Sequence, residues 1–557
     1  MHPSPQQSTP GAAPGRGLRP THPPVTELTD LAARIGARIE WLGSAASRQQ
    51  SRAAAVTGVE LRAQAVQAGD LFAALPGARA HGAEFVGTAV QAGAAAVLTD
   101  ELGLESAARQ VREGAVLPVL VHPEPRRVLG EVSATIYGRP SEQMQVIGIT
   151  GTSGKTTTSY LVEAGLVAAG RTVGLVGTIE TRMSGHRVPS ALTTPEAPQL
   201  HALFAVMLEQ GIDTVVMEVS SHALSLGRVD GVRFAIGAFT NLSQDHLDFH
   251  RDLDDYFTAK SRLFAADSTV RAERAVVCID DEWGVRMADI ARGAHPGDPA
   301  AVVTVATSTP GDWAAGPARA TDSGTQTFTL TAPGGTDHAV TLRLPGHYNV
   351  ANATLAVAVC AVAGADVDAA LAGIAQVDVP GRVQRVDRGQ DFLAVVDYAH
   401  KPAALEAVIA TLRGQLQGRM GGEPQGRIAV VVGAGGDRDS GKRILMGEAG
   451  ARGADLLVVT DDNPRSEDPA TIRGALIEGA LAVPSSERGE VREIGDRGEA
   501  IAAAVAWAEP GDVILVAGKG HETGQEIHGV KYPFDDREVL GEAIERIAPN
   551  RAHGGNA

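Results

Sequence analysis

Short apolar runs recur along the chain, each closed by a turn of Gly, Asp, Asn or Ser and most followed by a stretch of helical spacing. Continuous apolar runs of this length suit strands buried on both faces, and helices between them indicate a parallel sheet covered on both sides. Helical spacing over 28–39 opens the pattern. Strand patterns follow at 56–61, 70–75, 95–99 and 119–121, with helical patterns over 83–92 and 126–137. A second set starts with Val146-Ile147-Gly148-Ile149, passes into a helical pattern over 160–169, and has strand patterns at 172–176, 214–219, 235–240 and 275–279. Between 301 and 344 the helical periodicity vanishes and Thr, Gly, Asp and Ala dominate, which predicts a small antiparallel β appendage; a helix over 350–363 comes next. A third set has strands over 392–397, 427–432, 455–460 and 512–517, with helical patterns such as 403–416 between them.

A chain of 557 residues is too long for one core, and length alone suggests about three or four domains. The pattern places a small N-terminal α/β domain at 25–141, a central mostly parallel sheet with its β appendage at 142–378, and a doubly wound sheet at 379–557. Residues 1–24 are rich in Pro, Gly and Ser, lack the apolar core of a signal peptide, and read as a disordered tail. Aromatics are only 4% of the chain, so the cores are expected from Ala, Val, Leu and Ile. The net charge of −17 argues against nucleic acid as the main partner, while leaving room for a small anionic ligand in a local loop. Cys278 and Cys360 both sit in apolar runs and read as buried thiols. No apolar stretch reaches the ~18 residues of a membrane span. A cytoplasmic enzyme without membrane insertion, and a monomer, is the expectation.

The sharpest chemistry lies at Gly151-Thr152-Ser153-Gly154-Lys155-Thr156-Thr157-Thr158, between a strand and a helix. Glycines let backbone N–H groups turn around an anion, the helix N-terminus adds its positive end, Lys155 can reach terminal phosphates and the Thr156 hydroxyl can hold Mg²⁺. This predicts a P-loop-type central domain with one departure: Ile149 stands where the usual loop has its first glycine. Glu218, closing a strand in Glu218-Val219-Ser220-Ser221-His222, suits Mg²⁺ beside such a loop, or alternatively a helix cap. The acids and histidines of 240–250, His246 among them, resemble a metal site. By spacing alone Lys260 is an ordinary amphipathic-helix lysine. The loop 76–82 is either a binding edge or a mere surface loop.

In the third set, four strands end in polar turns: Asp397-Tyr398-Ala399-His400-Lys401, Gly433-Ala434-Gly435-Gly436-Asp437-Arg438, Asp461-Asp462-Asn463-Pro464-Arg465 and Gly518-Lys519-Gly520-His521-Glu522. Ligands in Rossmann-like doubly wound sheets sit at strand carboxyl ends. Arg438 and Arg465 offer fork donors for a carboxylate and Glu522 an acceptor for an ammonium, a set that suits an amino acid.

Taken in order, the loop at 150–157, Glu218 to His222, Thr240 to His246, His347-Tyr348-Asn349 with Asn352, and Asp397 to Pro402 resemble the Mur ligase family of peptidoglycan synthesis, from about residue 25 onward. The short phosphate loop is that family's own. Asp462-Asn463-Pro464-Arg465 resembles the signature of members that join meso-2,6-diaminopimelate to UDP-N-acetylmuramoyl-L-alanyl-D-glutamate with ATP. The resemblance implies cell-wall ligase activity through an acyl phosphate, with catalytic Lys155, His246 and Lys260. It implies ATP contacts at Gly151, Thr152, Ser153, Gly154, Lys155, Thr156, Thr157, Asn349, Arg382 and Asp397. Mg²⁺ would be held by Thr156, Glu218, His246 and Lys260, the last as a carbamate. The muramoyl-dipeptide falls to Thr193, Thr194, Ser220 and Arg228, and the uridine end to Val59, Leu61, Ala78, Arg79 and Ala80. Diaminopimelate falls to Arg438, Asp462, Asn463, Pro464, Arg465, Gly518 and Glu522. The L-lysine-adding sister enzyme and a non-catalytic nucleotide-gated binding protein are the alternatives.

Overall fold

The structure is a computed structural model and describes residues 18–43, 54–77, 79–111, 116–183, 185–188, 192–320, 325–417, 426–437 and 439–552. In the N-terminal region the strands are β1 (Thr26–Glu27), β2 (Arg38–Leu42), β3 (Ala55–Val56), β4 (Gly58–Glu60), β5 (Asp70–Ala73), β6 (Ala96–Thr99) and β7 (Leu117–Val121). β1 pairs with β3, and the others form a sheet in the order β2-β7-β6-β5-β4. The helical pattern expected over 28–39 is shorter than its spacing suggests. The helix Leu28–Ile35 stops at Gly36, whose φ of 69° is the left-handed cap that only glycine adopts without strain. Residues after it form the edge strand β2, antiparallel to β7.

The expected tail also ends early. Arg19 donates to Asp70 Oδ2 at 3.0 Å and to the Val59 carbonyl at 3.2 Å, and lies 3.7 Å from Glu60 Oε2. The main-chain N–H groups of Thr21 and His22 both donate to the Glu209 carboxylate at 2.8 Å. A composition reading misses this because the pairing of one arginine with two buried carboxylates is a tertiary contact that Pro, Gly and Ser content does not reveal.

The central strands are β8 (Gln145–Thr150), β9 (Val173–Val176), β10 (Thr181–Met183), β11 (His186–Val188), β12 (Thr214–Glu218), β13 (Ile236–Phe239), β14 (Arg274–Cys278) and β15 (Val302–Ala306), ordered β11-β10-β9-β12-β8-β13-β14-β15. Pairing is parallel from β9 through β15, and the carboxyl ends of β8, β12 and β13 lie side by side. The run at 302–306 was expected within the antiparallel appendage. It instead extends the parallel sheet, as its continuous Val-Val-Thr-Val-Ala pattern requires of a covered strand. The antiparallel part is β16 (Trp313–Ala315), β17 (Arg319–Ala320), β18 (Gln326–Thr331) and β19 (Asp337–Leu342), all gathered on β18. The scarce aromatics concentrate in the central core, where Phe204, Phe234, Phe239, Tyr256, Phe257 and Phe264 are buried together.

The C-terminal sheet comprises β20 (Gln384–Arg385), β21 (Leu393–Asp397), β22 (Ile428–Val432), β23 (Leu456–Val459), β24 (Glu490–Glu493) and β25 (Val513–Ala517), in the order β20-β21-β25-β22-β23-β24. A hairpin, β26 (Gly524–Ile527) with β27 (Val530–Pro533), follows. One face of this sheet buries only aliphatic residues and a methionine, as composition predicts. Helices Gly441–Gly453 and Pro469–Ala482 meet backbone to backbone: a Cβ on Gly447 would collide with the Leu476 carbonyl, and one on Gly479 with that of Ile444. By compactness the chain divides into two units, Met1–Val305 with Leu355–Ala370, and Ala306–Thr354 with Leu371–Ala557. The N-terminal and central sheets thus share a unit, and the β appendage goes with the C-terminal sheet.

Candidate active site

The phosphate loop joins β8 to the helix Lys155–Ala168, with Gly154 at its N-cap in a left-handed conformation, φ 86°. Gly151, at φ 144°, has no room for a side chain, because a Cβ would strike Thr240 Oγ1. The loop is braced by the segment after β13. The N–H groups of Thr152 and Ser153 donate to Asn241 O at 2.9 Å and Asn241 Oδ1 at 3.0 Å, and Thr240 Oγ1 donates to Ser153 O at 2.7 Å. Lys155 Nζ lies over the loop, donating to the carbonyls of Gly151 at 2.9 Å and Thr152 at 3.0 Å. Thr156 Oγ1 donates to Glu218 Oε1 at 3.0 Å. Thr178 completes that carboxylate's surroundings, its N–H on Oε1 at 2.8 Å and its hydroxyl on Oε2 at 2.9 Å. Thr193 touches Thr178 at 3.1 Å between hydroxyls, and Thr194 Oγ1 both donates to Glu218 O at 2.9 Å and accepts from Ser220 N at 3.2 Å. Arg228 pairs with Glu196 at 2.8 Å.

The lysine of helix Leu253–Ser261 is not a surface residue. Lys260 is 1% exposed, donates to the Gly151 carbonyl at 2.8 Å, and sits 4.3 Å above the Tyr256 ring. Tyr256 is the hub beside it: its ring lies 6.1 Å from His246 and 5.1 Å from His250, and burial pushes its phenol well above the ordinary range. His246 has a left-handed backbone, φ 54°, approaches Asp245 at 3.3 Å and keeps a half-open side chain. His222 stacks on Phe249 at 4.1 Å, and burial lowers its basicity.

In the second unit, Asp397 ends β21 fully covered. Its oxygens accept from Val383 N at 2.7 Å and Ala399 N at 2.8 Å, yet burial still raises its pKa, with Arg382 opposing. Arg382 lies 4.7 Å over the Tyr398 ring, which also meets His400 and His521. Burial depresses both histidines to about 4. Asn349 is buried, donating to Pro345 O at 2.7 Å and accepting from Asn352 Nδ2 at 3.0 Å.

The turns after β23 and β25 form a separate polar cluster. Asn463 donates to Glu522 Oε2 at 2.9 Å, and a Cβ on Gly518 would meet Asp462 Oδ2 at 2.9 Å. Arg465 is held at φ 52°, a conformation that costs a non-glycine residue about 1–3 kcal/mol and persists only where its surroundings enforce it. They do: its N–H donates to Glu526 O at 3.0 Å and its carbonyl accepts from His528 N at 2.7 Å. Its guanidinium donates through Nη1 to Gly436 O at 2.7 Å and approaches Glu526 with Nε at 3.4 Å; among the described residues Nη2 has no hydrogen-bond partner. Just behind, Arg443 clamps Glu467 through both its terminal nitrogens at 2.9 and 2.7 Å, pulling that carboxyl down to about 2.

Comparison with known proteins follows the same three regions. Residues 149–360 match the Mur ligase middle domain, 381–520 the Mur ligase glutamate ligase domain, and 55–137 the Mur ligase family catalytic domain. The chain belongs to the Mur ligase family. Among its relatives, a UDP-N-acetylmuramoyl-L-alanyl-D-glutamate--2,6-diaminopimelate ligase of Corynebacterium efficiens is 57% identical over 477 residues, 85% of this chain and 87% of the relative. A UDP-N-acetylmuramyl-tripeptide synthetase of Leifsonia xyli is 41% identical over 95% of this chain and 97% of its own. A solved UDP-N-acetylmuramoyl-L-alanyl-D-glutamate--2,6-diaminopimelate ligase superposes with a TM-score of 0.62 at 31% identity, covering 88% of this chain and 95% of that one.

In this Mur ligase Gly151 to Thr157, Glu218 and Lys260 form one bonded group, with Thr193, Thr194 and Ser220 on its flank, while His246 meets it through the Tyr256 ring. Asp462, Asn463, Gly518 and Glu522 converge likewise, with Arg465 tied to them through Glu526 and Pro464 buried in the turn between. The uridine assignments fare less evenly. Val59 has its side chain in the core, its N–H facing Tyr137 Oη and its carbonyl on Arg19, so it offers no open polar group. Leu61 is half-buried, and Arg79 and Ala80 are exposed. Ala78 and Arg438 lie outside the described residues. Three participants were missed. Thr178 carries no motif; Tyr256 stands one helical turn before Lys260, a signal available in the sequence; Lys519 lies inside a turn already singled out.

Proposed function

We infer that this chain is an ATP-dependent, ADP-forming amide ligase that adds meso-2,6-diaminopimelate to UDP-N-acetylmuramoyl-L-alanyl-D-glutamate in peptidoglycan precursor synthesis. The observation that carries the amino-acid choice is Arg465, fixed in the turn Asp462-Asn463-Pro464-Arg465 with Nη2 uncommitted to the described protein. Diaminopimelate differs from lysine by one distal carboxylate. A guanidinium reads that group through paired hydrogen bonds, and lysine would leave it unmatched at a cost of roughly a few kcal/mol. Relatives named for the same reaction, at 57% and 56% identity, support this choice over the lysine-adding alternative.

The reaction runs in two steps. The D-glutamyl γ-carboxylate takes the terminal phosphoryl group of ATP, forming a carboxyl–phosphate bond and releasing ADP. The amine of diaminopimelate then attacks the acyl carbon, and the tetrahedral intermediate collapses to amide and phosphate. Both reactants of the first step are anions, so alignment and charge neutralisation are the main tasks. Lys155, Gly151 to Thr157, Asn349, Arg382 and Asp397 are assigned to ATP; Thr193, Thr194, Ser220 and Arg228 to the muramoyl-dipeptide; Leu61, Arg79 and Ala80 to the uridine end. Thr156 and Glu218, 3.0 Å apart, fit Mg²⁺, which uses few protein ligands beside phosphate and water. That ion would shield phosphate charge. His246 and a carbamate on Lys260 are assigned to a second one. The burial of Lys260 against the loop supports this reading, since carbamylation there would convert a cation into an anion.

The deciding experiment is an amino-acid panel with purified protein, reading phosphate release. Release is expected only when UDP-N-acetylmuramoyl-L-alanyl-D-glutamate and meso-diaminopimelate are both present. Equal turnover with L-lysine would sink the assignment, and ATP hydrolysis without either acceptor would favour a nucleotide-gated binding protein.

A further inference from the structure

Two turns of the C-terminal sheet close around a single ammonium. Lys519 is 0% exposed. Its Nζ donates to Asn463 Oδ1 at 3.0 Å and to Glu522 Oε2 at 3.4 Å, and lies 3.5 Å from Asp462 Oδ1. Asn463 Nδ2 donates to the same Glu522 oxygen at 2.9 Å, so lysine, asparagine and glutamate close a ring of three hydrogen bonds. Asn463 Oδ1 also accepts from Glu526 N at 2.9 Å, and Glu526 O accepts from Arg465 N at 3.0 Å. A continuous bonded path therefore runs from Glu522 through Lys519 and Asn463 to the backbone that carries Arg465.

Arg497 ties the same turns from behind. It is fully buried, donates to Asp461 O at 3.4 Å and Ala517 O at 3.0 Å, and is neutralised by Asp536 through two bonds of 2.7 Å. Asp462 and Glu522 outnumber Lys519, leaving the cluster one negative charge in excess. A buried ammonium is tolerated only when paired, and removing it would leave two carboxylates repelling across the pocket.

We propose that Lys519 is a positioning residue that holds the ammonium acceptor Glu522 and the carboxylate donor Arg465 in register, so that together they grip the ammonium and carboxylate borne by the distal carbon of the incoming amino acid. Glu522 Oε2 is taken by the ring, which leaves Oε1 for a ligand ammonium. Arg465 stands at the other end of the same bonded path. An amino acid carrying an ammonium and a carboxylate on its distal carbon is read by both ends at once, and neither end fixes the other by itself. The inference rests on the amino-acid site assigned above.

The test compares wild type with Lys519→Met and Lys519→Arg, measuring KM for meso-diaminopimelate, KM for ATP, and acyl-phosphate formation by hydroxylamine trapping without the amino acid. Loss of the central hydrogen-bonded charge is expected to raise the diaminopimelate KM on the order of 30-fold in Lys519→Met. KM for ATP and hydroxamate yield should stay at wild-type values. Lys519→Arg, which keeps the charge but replaces the compact ammonium with a bulkier planar fork, should also raise the diaminopimelate KM. An unchanged KM in the folded variants overturns the proposal. So does a parallel loss of hydroxamate yield, or failure of both variants to fold, since each would make Lys519 a folding residue. If wild type itself ignores diaminopimelate, the substrate assignment falls instead, and the two failures are told apart.

Discussion

At the scale of single residues, burial separates the informative lysines and arginines from the rest. Lys260 and Lys155 both bond the Gly151 carbonyl, so two cations share one acceptor at the phosphate loop. If Lys260 acts as a carbamate, Lys260→Ala should lose nearly all turnover, and small carboxylates such as acetate or formate should restore part of it. Full activity of the unsupplemented variant would remove the carbamate from the scheme. Arg465→Ala should raise the diaminopimelate KM on the order of 100-fold, the loss expected when a paired carboxylate contact disappears, while ATP affinity stays put. A drop in ATP affinity instead would mean that the amino-acid site is misplaced. Arg465→Lys should behave nearly as badly, because an ammonium cannot reproduce the fork.

Among elements, helices Gly441–Gly453 and Pro469–Ala482 approach each other backbone to backbone. Gly447→Ala would drive a methyl into the Leu476 carbonyl, and the C-terminal unit is expected to lose about 1–3 kcal/mol, read as a lowered Tm. An unshifted Tm would show that the helices can slide apart freely. Long parallel strands were readable in the sequence because each is buried on both faces and leaves an unbroken apolar run, as in β8, β12, β22 and β25. The short or half-exposed ones were not: β2 looked helical until Gly36 ended the helix, β10 and β11 have three residues each, and β24 carries charge at both ends. The site divides in the same way. Glycine-spaced turns announce themselves, whereas the burial of Lys260 and Lys519 is a tertiary fact with no local pattern.

For the molecule as a whole, buried neutral histidines set an acid limit. Burial lowers His201 to about 4 from an unperturbed value near 6.5, and His400 and His521 shift the same way. Between those values the unfolded chain takes up protons that the folded chain refuses. Stability is therefore complete above about pH 6.5 and declines as pH falls toward 4, by about 3 kcal/mol for His201. Thermal melts should show a lower Tm at pH 5 than at pH 7.5, with a smaller difference in His201→Gln. A Tm that holds or rises at pH 5 would contradict this account.

Arg19 carries a lesson about where a fragment can be cut. The side chains of Asp70 and Glu60 are 3% and 0% exposed; Arg19 pairs with Asp70 at 3.0 Å and shares Glu60 with Arg62, which lies 3.4 Å from it. A chain trimmed to begin at its first strand, near residue 26, would look complete by its secondary structure. It would nonetheless enclose the Asp70 carboxylate with its counter-ion amputated, a defect that typically costs about 3–5 kcal/mol. The working edge of the N-terminal domain is therefore electrostatic rather than topological, and it includes Arg19.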